Sequence, residues 1–305
     1  MTELVIVGAG PAGVCAALWA RTFALDVMLI DRADDAGGQL HLVRFHPLEL
    51  PGFEHGEGPD LARAFERQLA AAAIPLRRGA EAVGLEARPG GLRVTLAGGD
   101  ELQARTVLVA SGQRRRRLEV PGAAELLGHG VSYTARGERD RFAGADAMVI
   151  GGGDGAFSNA LLLRERGAQV TIVSRAAVRA RRPMRARVEA DPGIAVLERT
   201  AVVAFEGDGA LDRVRLRGPD GEREHAVRLA VIKIGMQPNT EWCTALERDS
   251  AGYLRTRERG RCSLGGVWAA GDVVNPVVPS IDAAYGSAAL AAADVRDHLR
   301  SETPS

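Results

Sequence analysis

Short apolar runs alternate along this chain with glycine-rich turns and with longer stretches that have helical spacing. The first run, Leu4–Val7, is apolar at every position, which is typical of a parallel strand buried on both faces. A helix is predicted over Val14–Ala24 and a second buried strand over Asp26–Ile30. The turn Gly8-Ala9-Gly10-Pro11-Ala12-Gly13 joins the first strand to the helix. This order predicts a βαβ unit of a doubly wound α/β sheet.

The glycines of this turn are spaced as a dinucleotide site requires. Gly8 permits the tight turn, Gly10 lets a pyrophosphate approach the backbone, and Gly13 lets the helix pack against the strand. Asp31 stands 18 residues after Gly13, near the usual distance for a carboxylate that accepts ribose hydroxyls. The combination predicts dinucleotide binding; the alternative is an ordinary glycine turn in a doubly wound sheet.

The same plan recurs in the middle of the chain. Ala147–Ile150 predicts a buried strand, and Gly151–Ala156 follows as GxGxxA, in which the small third residue preserves close helix packing. A helix is predicted to about Arg166, and a second strand over Gln169–Val173. The chain therefore carries two copies of one nucleotide-binding pattern.

The two copies differ at the end of the second strand. Ser174-Arg175 stands where the first copy has Asp31, and further arginines follow at positions 179, 181 and 182. Without the carboxylate nothing repels a 2′-phosphate, and arginine binds phosphate well. The second copy therefore predicts NADP rather than NAD, while the alternative is that these arginines only solvate a helix face.

The remaining pattern predicts further strands and helices. They are a helix over Pro59–Ala73, a strand over Leu92–Leu96 with a hairpin at Gly98-Gly99-Asp100, buried strands over Thr106–Ala110, Leu229–Gly235 and Gly266–Asp272, a hairpin of Arg213–Leu216 with Arg223–Val227, and a helix from Ser280 to about Leu299. Asp272, at the carboxyl end of its strand, is suited to accept hydrogen bonds from a polyol chain. Ser280 is predicted to cap the last helix.

Composition limits the classes of function. The chain has 305 residues, which favours two domains, and a formal net charge of zero, so nothing global indicates nucleic acid or a membrane surface. No apolar run reaches the 18 or so residues of a spanning helix. The first strand begins at once, which leaves no room for a signal peptide, and a cytoplasmic protein is expected. The three cysteines, Cys15, Cys243 and Cys262, form no CxxC and no metal-binding spacing.

The arginine run, the single lysine and two histidines each allow a functional interpretation and a purely structural one. The run Arg114–Arg117, followed by Pro121-Gly122, is interpreted as a solvated crossing between domains or as a docking patch for an acidic partner. Lys233, the single lysine, is expected either to line the cleft between the two domains or to snorkel at a sheet edge, and the edge is favoured. His41 and His46 are expected to be surface residues rather than ligands.

Taken together, these motifs resemble those of thioredoxin reductases, in the same order and over nearly the full length. The motifs are the two glycine turns, Gly38-Gln39-Leu40, Ala110-Ser111-Gly112, Gly235 with Pro238-Asn239-Thr240, and Ala270-Gly271-Asp272. The resemblance implies two Rossmann-like domains, the second inserted into the first. It implies an FAD-binding domain over 1–115 and 243–305, an NAD(P)H-binding domain over 116–242, and a homodimer in which one domain rotates against the other.

The resemblance also implies the cofactor contacts. For FAD they are Gly8, Gly10, Pro11, Ala12, Gly13, Asp31, Arg32, Gly38, Gln39, Leu40, Val83, Ala110, Ser111, Gly112, Gly271, Asp272 and Ser280, with Asp31 on the adenosine ribose and Asp272 on the ribityl chain. For NADPH they are Gly151, Gly153, Asp154, Gly155, Ser174, Arg175, Arg179, Arg181 and Gly235, with Arg175 and one of Arg179 or Arg181 on the 2′-phosphate. No metal is implied.

Two departures from the family pattern bear on function. Thioredoxin reductases carry a redox CxxC where this chain has Thr134-Ala135-Arg136-Gly137, and a disulfide relay needs two thiols. Thioredoxin reduction by the family mechanism is therefore not expected. The family usually has Arg-Gln shortly before the last helix, where this chain has Val277-Val278.

The sequence thus predicts an NADPH-dependent FAD oxidoreductase that passes electrons from flavin directly to an acceptor. Members without CxxC resemble thioredoxin-reductase-like ferredoxin–NADP reductases, so an acidic carrier such as a ferredoxin is a candidate partner. Those relatives often extend beyond the last helix, whereas this sequence ends at Ser305. The alternatives are an oxidase or reductase of a small molecule, such as a secondary metabolite or a disulfide, and a flavin-binding module without catalysis.

Overall fold

The computed structural model describes residues 1–43, 45–48 and 50–302. Ser305, at which the sequence was compared with relatives that extend beyond the last helix, therefore lies outside the described residues. No helix within these ranges is both long and apolar enough to cross a membrane.

The chain divides into two compact units. The first, the outer unit, comprises Met1–Arg114 and Gln237–Ser305, and the second, the inserted unit, comprises Arg115–Met236. The inserted unit thus interrupts the outer unit in sequence. The cofactor-binding domains with limits at 115/116 and 242/243 remain a prediction.

The elements are numbered in chain order. The segment before the inserted unit contains β1 Thr2–Val7, α1 Pro11–Thr22, β2 Val27–Ile30, α2 Gly58–Ala71, β3 Leu76–Arg77, β4 Ala82–Arg88, β5 Gly91–Leu96, β6 Glu101–Val109 and, at its end, β7 Gln113–Arg115. The middle segment contains β8 Val131–Ser132, β9 Asp146–Ile150, α3 Asp154–Arg164, β10 Gln169–Val173, α4 Arg182–Glu189, β11 Ile194–Leu197, β12 Ala201–Glu206, β13 Arg213–Gly218, β14 Gly221–Ala226, β15 Leu229–Ile232 and β16 Met236–Pro238. The last segment contains β17 Val267–Ala269 and α5 Ile281–Glu302, and short 3-10 helices span Gly38–Leu42, Glu258–Gly260 and Gly271–Val274.

The outer unit is built on one sheet of seven strands. Its order is β3-β2-β1-β6-β5-β4, with β17 also paired to β6. Strands β3, β2, β1, β6 and β17 are parallel, whereas β4, β5 and β6 form an antiparallel meander. The predicted first βαβ unit is confirmed, and the carboxyl ends of β1, β6 and β17 lie at the same edge of the sheet.

Helices α1 and α5 pack against one another through alanines. Ala16, Ala17 and Ala20 of α1 have no exposed surface, and neither do Ala288 and Ala291 of α5. Side chains this small let two helix backbones approach closely. The alanine-rich sequence of α1 therefore reflects a crowded position between the sheet and the last helix.

The inserted unit contains a second parallel sheet. Its order is β11-β10-β9-β15-β8, and every pairing in it is parallel. A separate antiparallel sheet of β12, β13 and β14 follows it, and the predicted hairpin corresponds to β13 and β14. The second predicted βαβ unit, β9-α3-β10, is confirmed.

Three predicted strands have clearly different limits in the structure. The strand expected over Gly266–Asp272 spans only Val267–Ala269, because Gly271, with a φ of +77°, begins a 3-10 helix that contains Asp272. The strand expected over Thr106–Ala110 begins at Glu101, because β6 continues the hairpin that it forms with β5. The strand expected over Leu229–Gly235 ends at Ile232. Gly235 has a φ of +100°, which is incompatible with a continuing strand.

Asp294 of α5 is a buried carboxylate that joins the last helix to the sheet. It is 4% exposed, accepts a hydrogen bond of 2.9 Å from Trp268 Nε1, and pairs with Arg261 at 2.5 Å. Burial by itself raises the pKa of Asp294, but the Arg261 and Trp268 hydrogen bonds outweigh it, so its pKa lies below the usual 3.8. The ionised form is therefore the one that stabilises the fold.

Replacing Asp294 with Ala should lower the free energy of unfolding by about 2–3 kcal/mol, because the Trp268 N–H loses its acceptor inside the core. The measurement is urea unfolding at neutral pH. The contribution of Asp294 is complete above pH 3.8 and is lost as the pH falls through the lower folded-state pKa. Asp297→Ala on the same helix is the control: its partners are exposed ion pairs, so about 1 kcal/mol or less is expected. Equal losses in both variants would contradict this account of Asp294.

Candidate functional site

The first glycine turn is shaped by backbone contacts that exclude side chains. A Cβ on Gly8, whose φ is +109°, would collide with the carbonyl oxygen of Ala110, and a Cβ on Gly13 would collide with the carbonyl oxygen of Gly8. By contrast, a Cβ on Gly10 would meet no protein atom within 4 Å. Two glycines of the motif thus serve the fold, whereas Gly10 borders the side from which a ligand would approach.

The start of α1 is left open for an anion. Gly10 is its N-cap, no side chain caps it, and Pro11 occupies the first turn. The N–H groups of the first turn and the positive end of the helix dipole therefore face outward beside the turn. Gly38 lies directly against this point, because a Cβ on it would be 3.3 Å from the Cα of Gly10.

Asp31 is held beside the turn by both of its carboxylate oxygens. The backbone N–H of Ala9 donates to Oδ2 at 2.6 Å, and the N–H of Ala33 donates to Oδ1 at 2.8 Å. Gly37 donates its N–H to the carbonyl of Ala9 at 2.8 Å, which draws the following loop over the turn. Asp31 and the glycine turn therefore form one local arrangement, while their contact with a ribose stays a prediction.

Asp272 lies at the centre of a hydrogen-bonded group in the outer unit. Its Oδ2 accepts hydrogen bonds from Gln39 Nε2 at 3.2 Å and from Gln113 Nε2 at 3.0 Å. The Oε1 of Gln113 in turn accepts from the hydroxyl of Tyr253 at 2.9 Å, which fixes the orientation of the amide. Neither Gln113 nor Tyr253 was predicted from the sequence. Gln113 directly follows the Ser111-Gly112 motif, so its position could have been predicted from the sequence. No motif in the sequence marks Tyr253.

Asn239 joins the return of the chain to the strand end at β6. Its Nδ2 donates to the carbonyl of Ser111 at 2.7 Å, and the Ser111 hydroxyl donates back to the carbonyl of Asn239 at 2.7 Å. The N–H of Asn239 also donates to the carbonyl of Gly112 at 3.0 Å. The Asn in the motif Pro238-Asn239-Thr240 thus orders the Ser111-Gly112 turn.

The other residues expected at FAD have varied surroundings. Ser280 caps α5 as predicted, accepting a hydrogen bond from the N–H of Ala283 at 3.3 Å. Leu40 is buried in the core, Arg32 is exposed, and Val83 is 49% exposed on β4. Their contacts with the cofactor stay predictions.

The second glycine turn repeats the geometry of the first. A Cβ on Gly151, whose φ is +141°, would collide with the carbonyl oxygen of Lys233. Gly153 is the N-cap of α3, and again no side chain caps the helix. Ser174 stands at the same distance along the chain from Gly151 as Asp31 does from Gly8, and its hydroxyl lies 2.5 Å from where a Cβ on Gly152 would be.

The arginine-bearing loop after β10 folds onto this turn. The N–H groups of Arg179 and Ala180 donate to the carbonyl of Gly152 at 2.6 and 3.0 Å. Arg181 binds Asp154 through its N–H, at 2.7 Å, and through its guanidinium. These contacts hold the pKa of Asp154 below its usual value. Arg175 and Arg179 are exposed and make no ion pair within the described part of the chain.

The segment 134–137 is ordered by a side chain that was not predicted from the sequence. Asn159 of α3 accepts a hydrogen bond from the N–H of Ala135 at 2.9 Å and donates to the carbonyl of Gly155 at 2.7 Å. A Cβ on Gly137 would lie 3.7 Å from Cγ2 of Thr134. The side chain of Thr134 therefore contacts the place that a side chain at position 137 would occupy, and neither position carries sulfur.

All three cysteines are shielded thiols. Burial raises the pKa of Cys15 and of Cys243 to about 11, and that of Cys262 to about 12. Cys243 and Cys262 are 19 residues apart in the sequence, and both belong to one apolar cluster of the outer unit. They are nevertheless free thiols. A thiol with so high a pKa supplies almost no thiolate at neutral pH.

Lys233 does not lie on a sheet edge. It follows β15, which runs between β9 and β8 inside the parallel sheet, so the edge interpretation is wrong. The side chain is half-buried, and burial, with the charge of Arg115 as the second cause, lowers the pKa of Lys233. The physical reason is that β15 is short and has a neighbouring strand on each side. Lys233 follows its last residue and therefore lies among the loops at the carboxyl ends of the strands.

The arginine run 114–117 is partly engaged in local contacts. Arg114 pairs with Glu241 at 2.6 Å and with the side-chain oxygen of Asn239 at 2.7 Å. Arg116 Nε donates to the carbonyl of Met236 at 3.1 Å. These contacts favour the interpretation of the run as a crossing between domains. They do not favour the interpretation as a docking patch.

The two histidines that follow the first βαβ unit have local partners. His41 Nε2 lies 2.9 Å from the carbonyl of Ala36, and His46 stacks on Phe53. Within residues 1–43, 45–48 and 50–302, no group of three His, Cys, Asp or Glu side chains is placed to hold a metal ion.

Comparison with known proteins identifies the family. The sequence model described as pyridine nucleotide-disulphide oxidoreductase matches residues 2–288. Thioredoxin reductase of Streptomyces clavuligerus is 34% identical over 97% of this chain and 94% of its own length. The chain belongs to the pyridine nucleotide-disulphide oxidoreductase family. The predicted resemblance to thioredoxin reductases is confirmed.

Solved structures also resemble this chain in fold. Thioredoxin reductase of Lactococcus lactis covers 99% of the chain and 100% of its own, with a TM-score of 0.79 and 27% identity. The predicted class, α/β with two Rossmann-like dinucleotide-binding domains, is confirmed. Not every relative has the same length: an NADH dehydrogenase of Ferdinandcohnia aciditolerans is 29% identical over 99% of this chain, but the chain spans only 58% of that relative's length.

This thioredoxin-reductase-like family uses FAD and NADPH, as predicted. Each unit of this oxidoreductase provides a fitting place for a dinucleotide. Both have a glycine turn too close-packed for side chains, an uncapped helix start behind it, and polar or charged residues at the end of the following strand. A pyrophosphate needs this combination of close backbone approach and unbonded N–H groups.

The thiols of the native oxidoreductase should react very slowly with a chromogenic disulfide such as 5,5′-dithiobis(2-nitrobenzoate). Their raised pKa values leave the unreactive protonated form dominant up to about pH 11. Titration at pH 8 should detect three thiols only after denaturation in guanidinium. Rapid reaction of two thiols in the folded protein would show a redox pair that this geometry does not contain.

Proposed function

We propose that this chain is an NADPH-dependent FAD oxidoreductase that delivers electrons to an acceptor other than thioredoxin, without a redox disulfide. The observation that carries the proposal is that positions 134 and 137, whose side-chain places are in contact, hold Thr and Gly. The protonated state of the half-buried Cys15 and of the buried Cys243 and Cys262 supports it, because none is available as a substitute.

The proposal assigns FAD to the outer unit and NADPH to the inserted unit. When bound, FAD accepts a hydride from a nicotinamide and passes electrons on singly or in pairs. In the outer unit the uncapped start of α1 binds the pyrophosphate of FAD and Asp31 accepts the ribose hydroxyls. Asp272 accepts hydroxyls of the ribityl chain, and the amides of Gln39 and Gln113 orient its carboxylate.

In the inserted unit the arginine loop selects the phosphorylated nucleotide. Arg175 and Arg179 are exposed beside the second turn, and no carboxylate stands where Asp31 stands in the first copy. Arg181 is already bound to Asp154, so Arg179 is favoured over Arg181 as the second ligand of the 2′-phosphate. A phosphate between two guanidinium groups forms charge-assisted hydrogen bonds.

The acceptor is proposed to be an electron carrier or a small molecule. The charges of Arg114 and Arg116 are engaged within their own units, which weakens the case for an acidic carrier such as ferredoxin. Val277 and Val278 are strongly exposed where the family usually has Arg-Gln, and they favour the second candidate function, oxidation or reduction of an uncharged small molecule. A homodimer and a cytoplasmic location remain part of the proposal.

NADPH should bleach the flavin faster than NADH at equal concentration under anaerobic conditions. Arg175→Ala should narrow this preference by about 1.5–3 kcal/mol, since it removes a charged hydrogen bond to the 2′-phosphate. Stopped-flow absorbance measures both rates. Arg217→Ala, which removes an exposed partner of Glu222, is the control and should leave the preference unchanged. Equal rates with both nucleotides in the unmodified protein would count against the proposal, and no reduction by either would exclude a nicotinamide donor.

A dithiol at positions 134 and 137 should introduce disulfide chemistry that the native chain lacks. In the double variant Thr134→Cys, Gly137→Cys the two sulfurs should form a disulfide on mild oxidation, because the Thr134 side chain contacts the place that a side chain at position 137 would occupy. Thiol titration should then fall from five to three, and thioredoxin-dependent NADPH oxidation should appear only in this variant. The single variant Thr134→Cys is the control. Thioredoxin turnover by the unmodified chain that survives replacement of Cys15, Cys243 and Cys262 would overturn the proposal.

A further inference from the structure

The internal repeat gives Lys233 a counterpart in the outer unit. Ala110 follows β6 and donates its N–H to the carbonyl of Val7 at 2.8 Å, and Lys233 follows β15 and donates to the carbonyl of Ile150 at 2.7 Å. Each presents its own carbonyl to the first glycine of the neighbouring turn. Lys233 therefore occupies, in the second copy, the strand end that touches the nucleotide turn.

The side chain of Lys233 runs along the start of α3. Its Cε lies 3.5 Å from where a Cβ on Gly155 would be, so the lysine fills space that this glycine leaves free. Gly155 is in the first turn of α3, and no side chain caps that helix. The ammonium group is bonded to this Cε, which contacts the helix turn whose N–H groups would face a pyrophosphate.

The ammonium group of Lys233 has no carboxylate partner among the described residues, and the charge of a second cation acts on it. The charge that acts on Lys233 is that of Arg115, which is itself half-buried over the ring of Tyr133. Among the described residues no carboxylate pairs with either cation, and Asp154, the acid in the first turn of α3, is bound to Arg181. Two partly buried cations that repel one another are stabilised by an anion that lies close to both.

From this geometry we propose that Lys233 binds the pyrophosphate of the nicotinamide nucleotide. The inference rests on the proposed function only for the identity of the ligand. A pyrophosphate carries two negative charges, which would offset the repulsion between the two cations as well as accept hydrogen bonds from the helix start. This proposal gives a specific role to the single lysine among the 39 Lys and Arg residues of the chain.

The first experiment compares two ligands that differ in the pyrophosphate. Lys233→Met keeps the length of the side chain and removes its charge, so it should weaken NADP⁺ binding about tenfold or more. Binding of adenosine 2′-monophosphate, which keeps the 2′-phosphate and lacks both phosphates of the pyrophosphate, should change by less than about twofold. Lys233→Arg should retain most of the affinity for NADP⁺. Isothermal titration with the FAD-loaded protein measures all three.

Arg175→Ala is the matched comparison, because loss of a 2′-phosphate ligand should weaken both compounds. If Lys233→Met also weakened both compounds equally, or weakened neither, the assignment of Lys233 to the pyrophosphate would be wrong.

The second experiment uses the fact that Lys233 is the only lysine. Reductive methylation with ¹³C-formaldehyde labels Lys233 and the α-amino group of Met1, and dimethylation preserves the positive charge. Inorganic pyrophosphate should shift the Lys233 methyl resonance and leave that of Met1 in place. The spectrum of Lys233→Arg assigns the signal.

The outcomes separate this inference from the proposed function. A Lys233 shift with pyrophosphate but no binding of NADP⁺ would leave the anion site intact and refute the proposed donor. Binding of NADP⁺ without any Lys233 shift would refute the inference and leave the donor intact. The absence of a shift with either compound would also overturn the inference.

Discussion

The contact on which both units depend is that between a glycine turn and the carbonyl at the end of the neighbouring strand. Gly8 meets Ala110 in one sheet, and Gly151 meets Lys233 in the other, at distances that exclude any side chain. The approach is possible only because the adjacent strands are parallel and end at the same edge. It directs the uncapped start of a helix toward that edge, where backbone N–H groups and the helix dipole favour an anion.

The two glycine turns have the same backbone geometry, but the side chains beside them carry opposite charges. In the outer unit a carboxylate, Asp31, is held by two backbone N–H groups beside the turn. In the inserted unit the equivalent strand end carries Ser174, and the loop that packs on Gly152 brings arginines instead. A carboxylate suits free ribose hydroxyls and repels a phosphate, whereas guanidinium groups attract one. One backbone geometry can therefore serve two different nucleotides.

The segment 134–137 has an ordered place against α3 although neither of its outer positions carries a thiol. Asn159 orders this segment against α3, and the side-chain places of the two outer positions are in contact. What is missing is sulfur, and the remaining thiols are desolvated in apolar clusters. Reactivity in a cysteine depends on access and on a lowered pKa, and these sites provide neither.

The sequence by itself determined the α/β class, both βαβ units and the positions of the two glycine turns. It could do so because fully apolar strands and glycine spacing are local signals that any tertiary context must respect. The contrast of Asp31 with Ser174-Arg175 was likewise local, since the two copies could be compared residue by residue.

Only the tertiary structure decided the contacts that join distant segments. Tyr253 reaches Asp272 through Gln113, Cys243 and Cys262 share one cluster, and no periodicity in the chain records either fact. Lys233 looked like an edge residue because a short apolar strand gives no information about its neighbours in the sheet. The order β9-β15-β8 places it in the interior, beside the second turn, because strand order is set by pairing between segments far apart in sequence.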